Sequence, residues 1–249
     1  MKNVLRIVLA LTLVFVMAFS FTACGDENTS SLDTTATQNS SSDYQSENQT
    51  SSDNSTTVEG VVKAEIVIKK HGTIKLDLYA DEVPETVANF VKLAKSGFYN
   101  GLTFHRIMED FMMQGGDPNG NGSGGADKDI KGEFSANGHR NNISHIRGTI
   151  SMARSASQYE QYLSMGYKLS DLPTEAQSDL KRAYNSGSSQ FFICHKDSTF
   201  LDGNYAAFGR VTEGMNIVDK ICTEAKPTDN NGTIPAKDQP VIETIKIIE

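Results

Sequence analysis

The stretch Gln114–Asp127, QGGDPNGNGSGGAD, holds two spacings that could do chemistry. Gly120-x-Gly122-x-x-Gly125 has the spacing of a dinucleotide-binding turn. Asp117-x-Asn119-x-Asn121-Gly122 has the spacing of the front of a calcium loop. A dinucleotide turn must open a helix inside a strand–helix–strand unit. The residues that follow, ADKDIKG, have no apolar helical period. A calcium loop needs a bidentate Glu at its twelfth position, and Lys128 stands there. Both readings fail. His71, His105, His139, His145 and His195 show no ligand spacing, Ser151 and Ser189 lie in no Gly-x-Ser-x-Gly elbow, and no carboxylate pair stands out for glycoside chemistry. The sequence therefore calls for no metal and no cofactor. What remains is a set of aromatic, Met, Gln and Arg residues on short apolar runs: FHRI at 104–107, FMMQGGD at 111–117, GTISMA at 148–153, SQFFI at 189–193, FLDG at 200–203 and FGRV at 208–211.

These runs need elements to position them. Glu65 to Tyr79, EIVIKKHGTIKLDLY, reads as two alternating strands around a Gly, a hairpin signal. From Val83 the chain reads as a helix. Pro84 suits its first turn and Glu85 its positive end. Val87, Phe90, Val91 and Ala94 give it one apolar face, and Gly97 stops it. LTFHRI, FMMQ, GTISMA, SQFFICH, AAFGRV and VIETIKII are further strand candidates, with a short helix over Met215 to Ile221. Many short strands and few helices predict a β-barrel or sandwich. Strand alternation puts Gln190 and Phe192 on one face, with Phe191 and Ile193 on the other, and likewise sets Met112 beside Gln114. Tyr159 to Gly166 and Pro173 to Tyr184 have helical spacing between two strand candidates. They read as an insertion, about residues 155–186, that projects from the domain.

In this order, the quoted motifs and the helix start VPETVANF at 83–90 closely resemble the cyclophilins, a family of peptidyl-prolyl cis–trans isomerases. The resemblance runs from about Glu65 to Glu249, apart from the insertion. It implies a mainly β fold: a closed eight-stranded antiparallel β-barrel capped by two helices. It also implies isomerisation of X–Pro bonds, with proline-containing peptides and unfolded proteins as partners. By position it implies Arg106 as the catalytic residue and Phe111, Met112, Gln114, Ala153, Gln190, Phe192, Phe200, Leu201 and Tyr205 as substrate-binding. The residue chemistry agrees. Rotation about an X–Pro bond faces a barrier of ~18–20 kcal/mol set by amide resonance, and lowering it needs no nucleophile. An apolar slot for the ring, a donor for a pyramidal imide nitrogen and groups holding the flanking peptide suffice. Departures from the family pattern are Phe200, where many members carry Trp; Tyr205, where His is common; and Ser188 in place of Gly. Arg154 stands where Asn is frequent, and is expected to add charge beside the groove. The interval from Ala153 to Ser189 is about 25 residues longer than typical, and the insertion is expected to select or shield substrates.

The N-terminal part has a different character. Lys2 and Arg6 precede the apolar run Val4 to Phe21, the pattern of an export signal. Phe21-Thr22-Ala23-Cys24 resembles a bacterial lipobox, with Cys24 as the lipidation site; an uncleaved membrane anchor is the alternative. Residues 25–60 are Ser/Thr/Asn-rich, with seven acidic residues and no Lys or Arg. Such a segment is too polar to bury a core and is expected to be disordered. At ~3.3 Å per residue it reaches on the order of 120 Å. The organisation expected is therefore a signal over 1–24, an acidic linker over 25–60 and a folded domain over 61–249, monomeric and tethered to the outer face of the cytoplasmic membrane. The net charge of -8 and the lack of a basic patch exclude nucleic acid. Cys194 and Cys222 sit in apolar runs, so burial as free thiols is favoured over a disulfide. Two other classes fit parts of the chain. A prolyl-peptide-binding chaperone or adhesion lipoprotein with incidental catalysis would bind peptides without turnover. A transporter's solute-binding lipoprotein would need two α/β lobes.

Overall fold

The computed structural model describes residues 59–248, so the expected signal, Cys24 and nearly all of the linker lie outside the described residues. Eight strands form one sheet: β1 (Val61–Ile68), β2 (Gly72–Tyr79), β3 (Thr103–Met108), β4 (Met112–Asp117), β5 (Thr149–Met152), β6 (Phe191–Cys194), β7 (Ala207–Glu213) and β8 (Ile242–Ile248). Their order is β3-β4-β6-β5-β7-β2-β1-β8, and every pairing is antiparallel. The two end strands meet. Ile242 N–H donates to Leu102 O and Gly101 N–H to Ile242 O, both at 2.8 Å, while Ile107 N–H donates to Gly232 O and Ile234 N–H to His105 O. These bonds tie the β3 end of the sheet to the start of β8 and to residues 232–234, so the eight antiparallel strands curl round toward each other as the expected barrel requires.

The helices are α1 (Pro84–Lys95), α2 (Glu160–Ser164), α3 (Thr174–Tyr184) and α4 (Met215–Glu224). Helix α1 buries Val87, Phe90, Val91 and Ala94, the face its spacing predicts. Its N-terminus has no local side-chain cap. Instead the buried Glu133 reaches across, accepting from Glu85 N–H at 3.2 Å and from Thr86 N–H at 2.8 Å. At the other end Gly97 adopts φ +74°, letting Phe98 N–H return to Leu93 O. Helix α4 runs three residues past the Ile221 expected from its spacing.

Inside the barrel, Phe90 meets Tyr99, Phe191 and Phe208 with centroid separations of 5.3, 5.5 and 5.2 Å. Phe191 and Ile193 face this core, while Phe192 and Cys194 face outward into a separate apolar cluster with Met112 and Leu201. Period-2 alternation along β6 thus divides the residues that hold the barrel from those that form a site upon it. Cys194 and Cys222 are buried and unpaired, and burial pushes each thiol's pKa up to about 12.

The α3 half of the insertion does not project, as its sequence suggested, whereas residues 164–171 are exposed. Leu172, Ala176, Leu180 and Tyr184 are buried in the main core cluster. The same α3 spacing that predicted an amphipathic helix supplies the face that docks it. Among the described residues, no helix is long and apolar enough to cross a membrane.

Candidate functional site

Strands β3, β4 and β6 lie side by side and build the centre of the site. Register sets Arg106 opposite Gln114, and Gln114 opposite Phe192. Three side chains from three strands therefore meet on the outer face. Arg106 Nη1–H donates to Gln114 Oε1 at 3.3 Å, Gln114 Nε2–H to Gln190 Oε1 at 2.9 Å, and Gln190 Nε2–H to the carbonyls of Gly122 and Gly124 at 3.0 and 2.6 Å. This chain of bonds ties the guanidinium to the glycine loop of the opening motif. Gln114 is 8% exposed, and its amide bridges Arg106 and Gln190.

Arg106 is half-buried at the rim of the apolar cluster. Its Nε–H donates to Asn231 O at 2.7 Å. Its remaining contacts are to the thioethers of Met112 and Met108, at 3.8 and 3.3 Å, and to the Phe111 ring, 5.9 Å from Cζ to centroid. Thioether sulfur is a weak acceptor. The guanidinium is thus anchored at one edge, while N–H groups at its other edge have only weak partners. Burial lowers its pKa from the ordinary value, with Tyr205 and Asp229 opposing that shift. A guanidinium so placed still keeps its proton at any physiological pH.

Around this donor lie the apolar residues expected from the sequence. Met112, Phe192 and Leu201 are buried together, with Phe111, Ala153 and Tyr205 packed against them. Phe200 is 61% exposed and stacks on Phe111 at 5.6 Å, extending the aromatic wall outward. Tyr205 meets Phe192 edge-on at 5.9 Å. All ten residues expected at the site are therefore in one neighbourhood.

Several supporting residues escaped the sequence reading. The loop that holds Arg106 is shaped by Asp229, whose carboxylate accepts from Asn231 N–H and Thr233 N–H at 2.9 and 3.1 Å. The Asp-Asn-Asn-Gly run at 229–232 is a turn signal that could have marked it. Beneath Phe192 lies His145, its ring stacked on the phenyl at 6.0 Å. His145 Nδ1–H donates to Asp202 Oδ1 at 2.8 Å, and its Nε2 lies 3.0 Å from Ser151 Oγ. Ser, His and Asp in this order invite a nucleophile reading, but Ser151 and His145 are both fully buried. The trio is a floor. Burial lowers the His145 pKa, with Asp202 opposing, which favours the neutral ring that accepts the Ser151 proton.

Arg154 differs from expectation. It does not present charge to the groove. Its side chain is 3% exposed and forms an ion pair with Glu160. Burial alone would lower its pKa, but the hydrogen bonds it donates to Glu160 and attraction to Tyr205, Glu160 and Tyr184 outweigh that, and the net shift is upward.

The glycine loop can now be placed. Asp117 is 1% exposed and does not offer its carboxylate to a metal. Its oxygens accept from Asn119, Asn121 and Gly122 N–H at 2.8, 3.0 and 2.5 Å. Gly116 has φ +82°, and a Cβ there would sit 2.6 Å from Ser189 O. The motif is a carboxylate-centred turn that leaves β4 and returns its carbonyls to Gln190.

Comparison with known proteins gives one answer. The model of the family described as cyclophilin type peptidyl-prolyl cis-trans isomerase matches residues 63–165 and 176–249, and the gap falls within the insertion. A peptidyl-prolyl cis-trans isomerase of Helicobacter pylori is 39% identical over 152 residues, covering 60% of this chain and 74% of its own. Peptidyl-prolyl cis-trans isomerase B of Bacillus subtilis is 38% identical over 142 residues, covering 57% and 78%. A cyclophilin type isomerase of Cryptosporidium parvum shares the fold, with TM-score 0.58 and 24% identity over 76% of this chain and 98% of that one. The same protein crystallised in the presence of the dipeptide Ala-Pro superposes with TM-score 0.57 and 26% identity, over 75% and 99%.

Proposed function

The chain belongs to the cyclophilin-type peptidyl-prolyl cis–trans isomerases, and from that premise we propose that Arg106 catalyses X–Pro rotation in exported polypeptides outside the cytoplasmic membrane. The isomerase activity itself follows from the family. The observation that carries the catalytic assignment is the half-satisfied guanidinium beside an apolar slot.

The geometry suits the reaction. Met112, Phe192, Leu201 and Phe111 receive the pyrrolidine ring, which removes it from water and fixes its plane. Rotation breaks amide resonance and returns a lone pair to the imide nitrogen. An N–H of Arg106, now held only by thioethers, turns to that lone pair. The bond is strong only while the nitrogen is pyramidal, so it lowers the barrier without tightening ground-state binding. Gln114 and Gln190 hold the guanidinium in register while the peptide turns, and the glycine loop and Ala153 border the flanking residues.

The site of action rests on the sequence: the apolar run Val4 to Phe21, Cys24 as the lipidated N-terminus, and an acidic linker that spaces a monomeric domain from the bilayer. Mass spectrometry of the chain recovered from bacterial membranes tests this. A mature chain beginning at diacylated Cys24, cleavable from intact cells by added protease, is expected. A chain retaining Met1 and protected from protease contradicts it.

A further inference from the structure

Residue Arg154 joins three parts of the molecule that the sequence keeps apart. Its Nε–H donates to Asn204 O at 2.9 Å, next to Tyr205. Its Nη1 and Nη2 donate to both carboxylate oxygens of Glu160, at 2.8 and 3.2 Å, at the start of α2. Its Cζ lies 4.5 Å from the Tyr205 ring centre, 5.0 Å from Tyr184 at the end of α3, and 5.5 Å from Phe134. One guanidinium thus grips the first and last turns of the insertion and the aromatic wall of the site.

The insertion is braced to receive this grip. Ser157 N–H donates to Glu160 Oε1 at 2.9 Å, and Ser157 Oγ–H to Asp179 on α3 at 2.5 Å. Leu180 and Tyr184 are then buried in the main core. A buried cation is tolerated only when paired and hydrogen-bonded, and here both conditions are met. Tyr205 in turn stands edge-on against Phe192, the floor of the apolar slot.

We propose that Arg154 is a positioning residue through which the docked insertion fixes the Tyr205 ring, and so sets the shape of the slot for the residues flanking the proline. This rests on the reading that Phe192 and Tyr205 line the prolyl groove. The insertion is then a fixed buttress of the site. Planarity matters as much as charge, because the guanidinium stacks on Tyr205 while its edge binds Glu160. Lys can reproduce neither the stack nor the fork.

The test measures kcat and KM separately for an Ala-Ala-Pro-Phe anilide, using the full chain, Arg154→Ala, Arg154→Lys and Glu160→Gln. Circular dichroism and melting temperature are recorded for each. Arg154→Ala is expected to raise KM about 10-fold with kcat changed less than about 2-fold, since loose positioning weakens binding more than the donor chemistry of Arg106. Arg154→Lys is expected not to restore KM. Glu160→Gln keeps the shape and one acceptor, and should raise KM about 3-fold. Should Arg154→Ala fail to fold, Arg154→Lys and Glu160→Gln decide alone. Folded variants with KM within about 2-fold of the parent overturn the proposal, as does full rescue by Lys. A parent chain without turnover would instead overturn the isomerase reading, so the two failures are distinguishable.

Discussion

At the residue scale, an ionisable group acts here by what it is already bonded to. Arg106 is anchored through Nε to Asn231 O and through Nη1 to Gln114, while its Nη2 meets only a thioether, so an N–H remains that can act on a substrate. Asp117 has the residue type of a metal ligand and the opposite situation. Its oxygens are taken by three backbone N–H groups. Replacing Asp117 by Ala should therefore destabilise the fold by about 1–3 kcal/mol, the cost of leaving buried donors unsatisfied. Urea denaturation reads this directly. Calcium or EDTA should leave the parent's midpoint unmoved, whereas a calcium-dependent rise would return the loop to the metal sites. That Arg106, Phe111, Gln114 and Phe192 lie together was legible in the sequence because they fall in short motifs in a fixed order. The bonds that tune them were not. Asn231 lies 125 positions from Arg106, and Asp202 lies 57 from His145. No local pattern reports which distant carbonyl or carboxylate a side chain will meet.

At the element scale, period and punctuation were informative and docking was not. The apolar face of α1 and its Gly97 stop are as the spacing predicts. Its cap is Glu133, 48 residues beyond Glu85, where no capping rule looks. The insertion shows the same limit. Its spacing identified α3, but an amphipathic helix can pack on its own body or project toward a partner with equal periodicity. The structure places Leu180, with no exposed surface, in the main core. Leu180→Ala should then cost about 2–5 kcal/mol, as for other fully buried leucines. A projecting helix would lose almost nothing. Gly116→Ala is the counterpart on the site side. It forces a side chain into φ +82° and against Ser189 O, and should cost more than about 1 kcal/mol. Both shifts are measurable as changes in denaturation midpoint at constant slope.

At the scale of the whole molecule, the barrel buries one core inside and carries a second apolar cluster outside. Stability and activity should respond to different conditions. Burial lowers the pKa of His105 and of His145 below the ordinary histidine value of 6.5. Both rings are neutral in folded and unfolded chains above that pH. As pH falls below 6.5 the unfolded chain takes up protons that the folded chain resists, so stability declines toward the folded values. The denaturation midpoint should be lower at pH 5 than at pH 7.5. The proposed donor, Arg106, keeps its proton throughout this range, so turnover by the folded fraction should hardly vary between those pH values. Arg106 itself stands at the rim of the outer cluster, so its truncation should leave the inner core intact. The most direct measurement is protease-coupled isomerisation of a prolyl tetrapeptide by the whole chain and by Arg106→Ala, with melting temperatures for both. The account predicts that the variant keeps its circular dichroism and a melting temperature close to the parent's. Its kcat/KM should fall by about 10²–10³-fold, the loss expected for one transition-state donor. A folded Arg106→Ala chain that isomerises at the parent's rate would contradict it.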